Sequence, residues 1–297
     1  MIRSVNYTGN KGGTMGQVGI LIEGGAMRSV FAAGVLDFFM EKGIDVPNVL
    51  AVSAGAYAAM NYVSGQKGRA VDAVIKPLEK EKYMGAGTFL KKGTFFDMDF
   101  LFDIVPKKLS PFDFETFRNS AKRFIINTTD CRTGKSVYHE KFESEEQFWK
   151  ICRAANSLPF ISRMSRINNI PMLDGGMADA LPVSKALEEG WDKLLVILTR
   201  KADYRKKYRH LYMMMIRLLY HRYPEFVKTV ARRAKKYNHC LKELAQMEKE
   251  GKAMIFRPSA LAITNNESDT RILMDYYRHG YEEAKGREEE IWEFLAI

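Results

Sequence analysis

Cysteine is scarce in this chain, and the three present lie far apart: Cys131, Cys152 and Cys240 in 297 residues. No C-x-x-C spacing occurs, which excludes the usual metal and dithiol-redox motifs. A reducing, cytoplasmic compartment is the expectation. Long hydrophobic runs are missing as well. No stretch approaches the roughly 20 apolar residues of a membrane-spanning helix. The polar, glycine-rich stretch 1–16 lacks the apolar core of a secretory signal. A G-x-G-x-x-G dinucleotide fingerprint is absent, and the second strand-like run ends at a serine rather than at an acid suited to a ribose. Nothing in the pattern calls for a metal or a cofactor. Of the five histidines, four (His210, His221, His239, His279) lie in polar or basic helical patterns and His139 follows an edge strand; most of them read as solvated surface residues.

Acidic charge is scarce in one place only. From Arg200 to Lys236 there are thirteen Lys/Arg against Asp203 and Glu225, a local excess of +11 in a chain of formal net charge +10. The remainder is therefore near neutral at −1, and the basic character belongs to one segment. Two readings compete for it. One is a solvated helix face packed through Leu211, Met214, Met215, Leu218 and Leu219. The other is peripheral contact of residues 200–236 with an anionic membrane. No nucleic-acid reading motif accompanies the charges, and no motif sets an oligomeric state.

What is present is a core. Hydrophobic residues make up 46% of the chain, enough for one large α/β domain or two smaller ones. Val18 to Ile22, Val49 to Val52, Arg123 to Thr128, Ile170 to Leu173 and Lys193 to Thr199 read as buried strands. Helical patterns follow from Ser29 to Lys42, Ala54 to Val63, Gly68 to Lys82, Ser144 to Asn156 and Val183 to Glu189. Strand–helix alternation at this spacing predicts a mostly parallel sheet sandwiched by helices. The texture changes near Thr199. Residues 18–199 form the expected α/β domain, and 200–297 a smaller, mainly helical extension, with helices over Tyr204 to Tyr223 and Pro224 to Glu250.

Three short motifs fall where strands end. Gly24-Gly25-Ala26 follows the first strand and opens a helix, so its backbone N–H groups can meet an anion. Ala51-Val52-Ser53-Ala54-Gly55 follows the second strand and opens another, the pattern of a nucleophile elbow with alanine for its first glycine. Asp174-Gly175-Gly176 ends a later strand. In a parallel sheet all three reach the carboxyl edge, where such folds place their sites. A serine to attack, backbone donors for an oxyanion and a carboxylate to take a proton make an acyl-transfer site. Asp174 can serve as base only if it is desolvated, since an exposed aspartate titrates near ~3.9.

The combination resembles the patatin-like phospholipases, which carry a glycine-rich oxyanion loop ending in a basic residue, a G-x-S-x-G elbow and a D-G-G or D-G-A aspartate. The matching residues here are Gly24-Gly25-Ala26-Met27-Arg28, the Ser53 elbow and Asp174-Gly175-Gly176, in the family's order. Arg153 to Pro159 is similar to the segment that precedes the family's aspartate. The resemblance implies a Ser53–Asp174 dyad without histidine, Gly24, Gly25 and Ala26 as oxyanion hole, and a lipid or fatty-acyl ester substrate. Arg28 is then a candidate to orient that loop or to meet a lipid phosphate. Ala26, Ser29 and Ala51 stand where the family usually has glycine, which raises the alternative of a lipid-binding relative with weakened catalysis.

Overall fold

The computed structural model describes residues 17–259 and 261–296. The polar stretch 1–16 lies outside them. Eight strands form one sheet: β1 (Gln17–Ile22), β2 (Asn48–Ala51), β3 (Arg123–Asp130), β4 (Ser136–His139), β5 (Ser165–Ile167), β6 (Ile170–Asp174), β7 (Trp191–Ile197) and β8 (Ala253–Phe256). Their order is β5-β6-β3-β2-β1-β7-β8, with β4 added to β3. The five strands β3-β2-β1-β7-β8 are parallel. This is the mostly parallel α/β sheet that the alternating pattern predicts.

The apolar runs are continuous because both faces of the sheet are covered. Side chains alternate between faces. Ile20, Ile22, Val49, Ala51, Phe124 and Ile126 point into one core, beneath the helices Val30–Lys42, Gly55–Val63, Glu145–Ala155 and Thr270–Lys285. Leu21, Leu50, Ile125, Leu194 and Val196 enter the other, beneath Val183–Glu188 and Pro224–Lys249. The composition boundary at residue 199 is crossed by the sheet itself. β8 pairs with β7, Leu195 opposite Met254, and Thr270–Lys285 packs along Val30–Lys42.

Three expectations are corrected. The stretch 68–82 is not a regular helix: it forms a π-helical turn, Val71–Ile75, and a 3-10 turn, Lys76–Glu79, with Pro77 near the start of the latter. Pro77 has no N–H to continue an α-helix. The helix expected from Tyr204 begins only at His210 and ends at Leu219. Its buried side chains are Met213 and Ile216, whereas Leu211, Met214, Leu218 and Leu219 are 60–72% exposed. The apolar face assigned to packing therefore points outward. Last, β6 runs antiparallel to β3, so Asp174 does not end a parallel strand.

Candidate active site

That antiparallel course sets the site. β3 continues four residues beyond Ile126, the residue paired with Ala51 at the end of β2. β6 returns along this overhang and places Asp174 opposite Thr128. Ser53, two residues past Ala51, lies at the same level. A short strand running the other way thus brings its last residue back to the elbow.

Ser53 sits in the left-handed region, φ 51°, between β2 and the helix Gly55–Val63. A non-glycine residue there is strained. The Ser53 hydroxyl donates a hydrogen bond to Asp174 Oδ2. Asp174 Oδ1 accepts the Gly176 N–H at 2.7 Å. The backbone of Asp174 is pinned too: its N–H donates to Ser157 O at 2.8 Å, and its carbonyl accepts the Thr129 hydroxyl at 2.8 Å. The carboxylate is 1% exposed. Burial pushes it above the ordinary carboxylate range, while the Ser53 hydroxyl, Arg233 and the Gly176 N–H pull the other way.

The loop after β1 is fitted against the elbow. A Cβ on Gly24 would lie 2.7 Å from Ser53 Cβ and 2.8 Å from Val52 O, so no other residue fits. Among the described residues the N–H groups of Gly24, Gly25 and Ala26 have no hydrogen-bond acceptor. Ala26 has φ 50°, whereas Ser29 keeps an ordinary helical φ of −71° and Ala51 lies in regular β2. Of the three departures from glycine, only Ala26 is strained. Arg28 is 8% exposed, and its Nε has no partner among the described residues. Burial, then Arg200, holds its pKa down to about 10.

Ser53 lines two spaces. One is a cavity of about 850 Å³ bordered by Gly24, Arg28, Asp174, Arg200, Lys206 and Arg233. The other is an apolar slot of about 80 Å³ bordered by Val30, Tyr57, Met98, Leu101 and Phe102. No histidine borders either space among the described residues. His139 instead meets the Thr128 hydroxyl at 2.9 Å, and burial holds its pKa down to about 4.

Sequence reasoning missed the contribution of the C-terminal part. Arg233 Nε donates to Gly176 O at 2.5 Å, bracing the turn after Asp174. The Tyr237 hydroxyl donates to Glu23 Oε1 at 2.7 Å. Lys206 is fixed by Asn238, whose Oδ1 accepts the Lys206 N–H at 2.8 Å and whose Nδ2 donates to Lys206 O at 2.9 Å. In the sequence these are members of a basic run. Nothing local separates Arg233 from Arg232.

A model of the family described as patatin-like phospholipase matches residues 20–187. The chain belongs to the patatin-like phospholipase family. Within this patatin-like protein a second match, to a domain of unknown function (DUF6363), covers residues 223–296. The chain is 28% identical over 189 residues to the uncharacterized protein YjjU of Escherichia coli strain K12, a match covering 62% of this chain and 52% of YjjU. The chain thus spans about half the length of that relative. Among solved structures it is similar to VipD from Legionella pneumophila, at 11% identity and TM-score 0.48, over 91% of this chain and 66% of VipD. No helix among the described residues is long and apolar enough to cross a membrane.

Proposed function

We propose that this patatin-like protein is a serine acyl hydrolase that cleaves carboxylic esters of lipids. The observation that carries the reading is the Ser53 hydroxyl, held on a strained turn and hydrogen-bonded to a buried carboxylate between an apolar slot and a polar cavity. In this reading Ser53 Oγ attacks the ester carbonyl while its proton passes to Asp174 Oδ2. The developing oxyanion is met by the N–H groups of Gly24, Gly25 and Ala26, preorganised donors of the kind that usually contribute most to such rates. Asp174 returns the proton to the departing alkoxide, leaving an acyl-serine. Water then attacks this ester and gives a proton to Asp174; the acyl–Oγ bond breaks, Asp174 passes the proton to Ser53 Oγ, and the fatty acid leaves with the dyad restored. Burial supports the aspartate's part, because a desolvated carboxylate is a stronger base than an exposed one.

The outward face of His210–Leu219 supports docking on a lipid surface. Leu211, Met214, Leu218 and Leu219 stand in solvent amid a basic segment, and Tyr212 and Met213 of the same helix border the large cavity. An apolar face set in positive charge suits an anionic interface.

A fluorophosphonate probe tests the chemistry. It should label the wild type and spare Ser53→Ala, and a panel of esters should be hydrolysed by the former alone. Equal labelling of both would reject the serine. Absence of labelling from both would favour a lipid-binding relative without hydrolysis.

A further inference from the structure

The cavity beside Ser53 is lopsided in charge. Seven Lys/Arg border it against Glu23, Asp174 and Asp203. Four of the cations are close enough to act on one another: Arg200 on Arg28, and Arg233, Arg200 and Arg28 on Lys206. None of these four forms an ion pair with a carboxylate among the described residues. The two buried carboxylates near them are already occupied. Glu23 Oε2 accepts Thr199 N–H at 2.7 Å and its hydroxyl at 3.1 Å, and Oε1 accepts the Tyr237 hydroxyl. Asp174 is held by Ser53 and Gly176.

The cations are nevertheless placed. Arg200 stacks 4.2 Å from the Tyr204 ring centroid, Lys206 lies 4.5 Å from that of Tyr237, and Arg233 is anchored on Gly176 O. Arg28 is buried and the other three are half-buried; charge drawn partly out of water without an ion-pair partner is costly, so fixed cations of this kind beside a cavity mark a place for an anion. Seven cations against three carboxylates leave the border of the cavity with an excess of positive charge, which a multiply charged anion would offset. Guanidinium and ammonium groups suit phosphate oxygens, through charge-assisted hydrogen bonds.

We propose that Arg200, Lys206 and Arg233, contributed by the C-terminal part of the chain, join Arg28 in a seat for a phosphate monoester dianion beside Ser53. The apolar slot and this seat then flank the serine, and a substrate bridging them carries an acyl chain on one side of its ester and a phosphate on the other. The seat also gives the domain of unknown function a role, since Arg233 and Tyr237 lie within it. The strain on Lys206 agrees: burial first, then Arg233, holds its pKa down to about 7, and a bound dianion would relieve it.

The substrate arm of this proposal rests on the acyl-hydrolase reading, and the binding arm does not. Calorimetry on the 297-residue chain carrying Ser53→Ala should show glycerol 3-phosphate and inorganic phosphate binding, and glycerol not binding. Arg200→Gln and Lys206→Met, each added to that protein, should weaken binding about tenfold or more, and Lys206→Arg should restore most of it. In the wild type, an acyl-glycerol 3-phosphate should exceed the monoacylglycerol of equal chain length in kcat/KM by about tenfold or more, and the preference should shrink in both variants. If phosphate binds but the preference is missing, the seat takes free phosphate rather than a lipid headgroup, and the site stands. If phosphate binds but no ester is cleaved, the site stands and the hydrolase reading falls. Ester cleavage with no phosphate binding, or binding insensitive to Arg200→Gln and to Lys206→Met, overturns the seat.

Discussion

At the scale of single residues, the proposed site carries its cost at Ser53, Ala26 and Asp174. Left-handed backbone costs an alanine about 1–2 kcal/mol that glycine avoids, partly offset by the larger freedom of glycine when unfolded. Ala26→Gly is therefore expected to raise stability by about 0.5–1 kcal/mol, read as a shifted urea midpoint. Asp174→Asn should act in opposite directions on rate and stability. Losing a general base costs about 100-fold or more in kcat. The folded-state pKa of Asp174 is raised by burial, so the native state keeps that proton to higher pH than the unfolded chain does. Stability contributed by this group falls as pH rises from the ordinary carboxylate value through the raised one, and stays low above it. At neutral pH Asp174→Asn should thus match or exceed the parent in Tm while losing activity, and the advantage should shrink on acidification. A variant that loses both would make Asp174 a structural residue.

At the scale of elements, much was legible and the failures have physical causes. The parallel strands announce themselves as apolar runs, and helix starts by their caps: Ser144 accepts the Gln147 N–H at 3.1 Å, as the Ser-x-x-Gln pattern implies. The motif loops were found because small residues are needed where backbones nearly touch. A Cβ on Gly175 would lie 2.1 Å from Asn127 Oδ1. The direction of β6 was not legible, because a five-residue apolar strand has no sign of its own. Nor was the buried face of His210–Leu219: apolar residues occupy most of that helix, so periodicity does not choose between Met213 with Ile216 and the exposed Leu211, Met214 and Leu218. The outward face gives a prediction for this element. Leu211→Ser together with Leu218→Ser should reduce binding to anionic vesicles about tenfold or more, because each buried leucine is worth about 1.5–3 kcal/mol. Thermal stability should hardly change. Unaltered vesicle binding in co-sedimentation would leave this face a simple surface.

At the scale of the whole molecule, the two family matches meet through backbone contact. A Cβ on Gly34 would lie 2.0 Å from Tyr277 O, and one on Gly280 would lie 2.1 Å from Phe31 O. These glycines let Val30–Lys42 and Thr270–Lys285 approach each other directly, and the Tyr277 hydroxyl donates to the buried Asp37 carboxylate there at 2.5 Å. Gly34→Ala and Gly280→Ala should each destabilise by about 1–3 kcal/mol or more, the usual cost of overpacking. Denaturation followed by tryptophan fluorescence would measure it. Because the two sites share one interface, the double variant should cost less than the sum of the singles. Full additivity would mean that the helices adjust independently.

The bond from Tyr237 to Glu23 spans 214 residues of chain. A ribosome adding about 5–20 residues per second needs about 10–40 s to cover that interval. Ser53 and Asp174 are both synthesised well before its end, yet β8, Tyr237 and Arg233 are not. During translation the serine and its aspartate therefore exist for many seconds without the strand that covers the edge of β7, the tyrosine that holds Glu23 or the arginine that braces Gly176. The order of synthesis delays the finished cleft until β8 has been made.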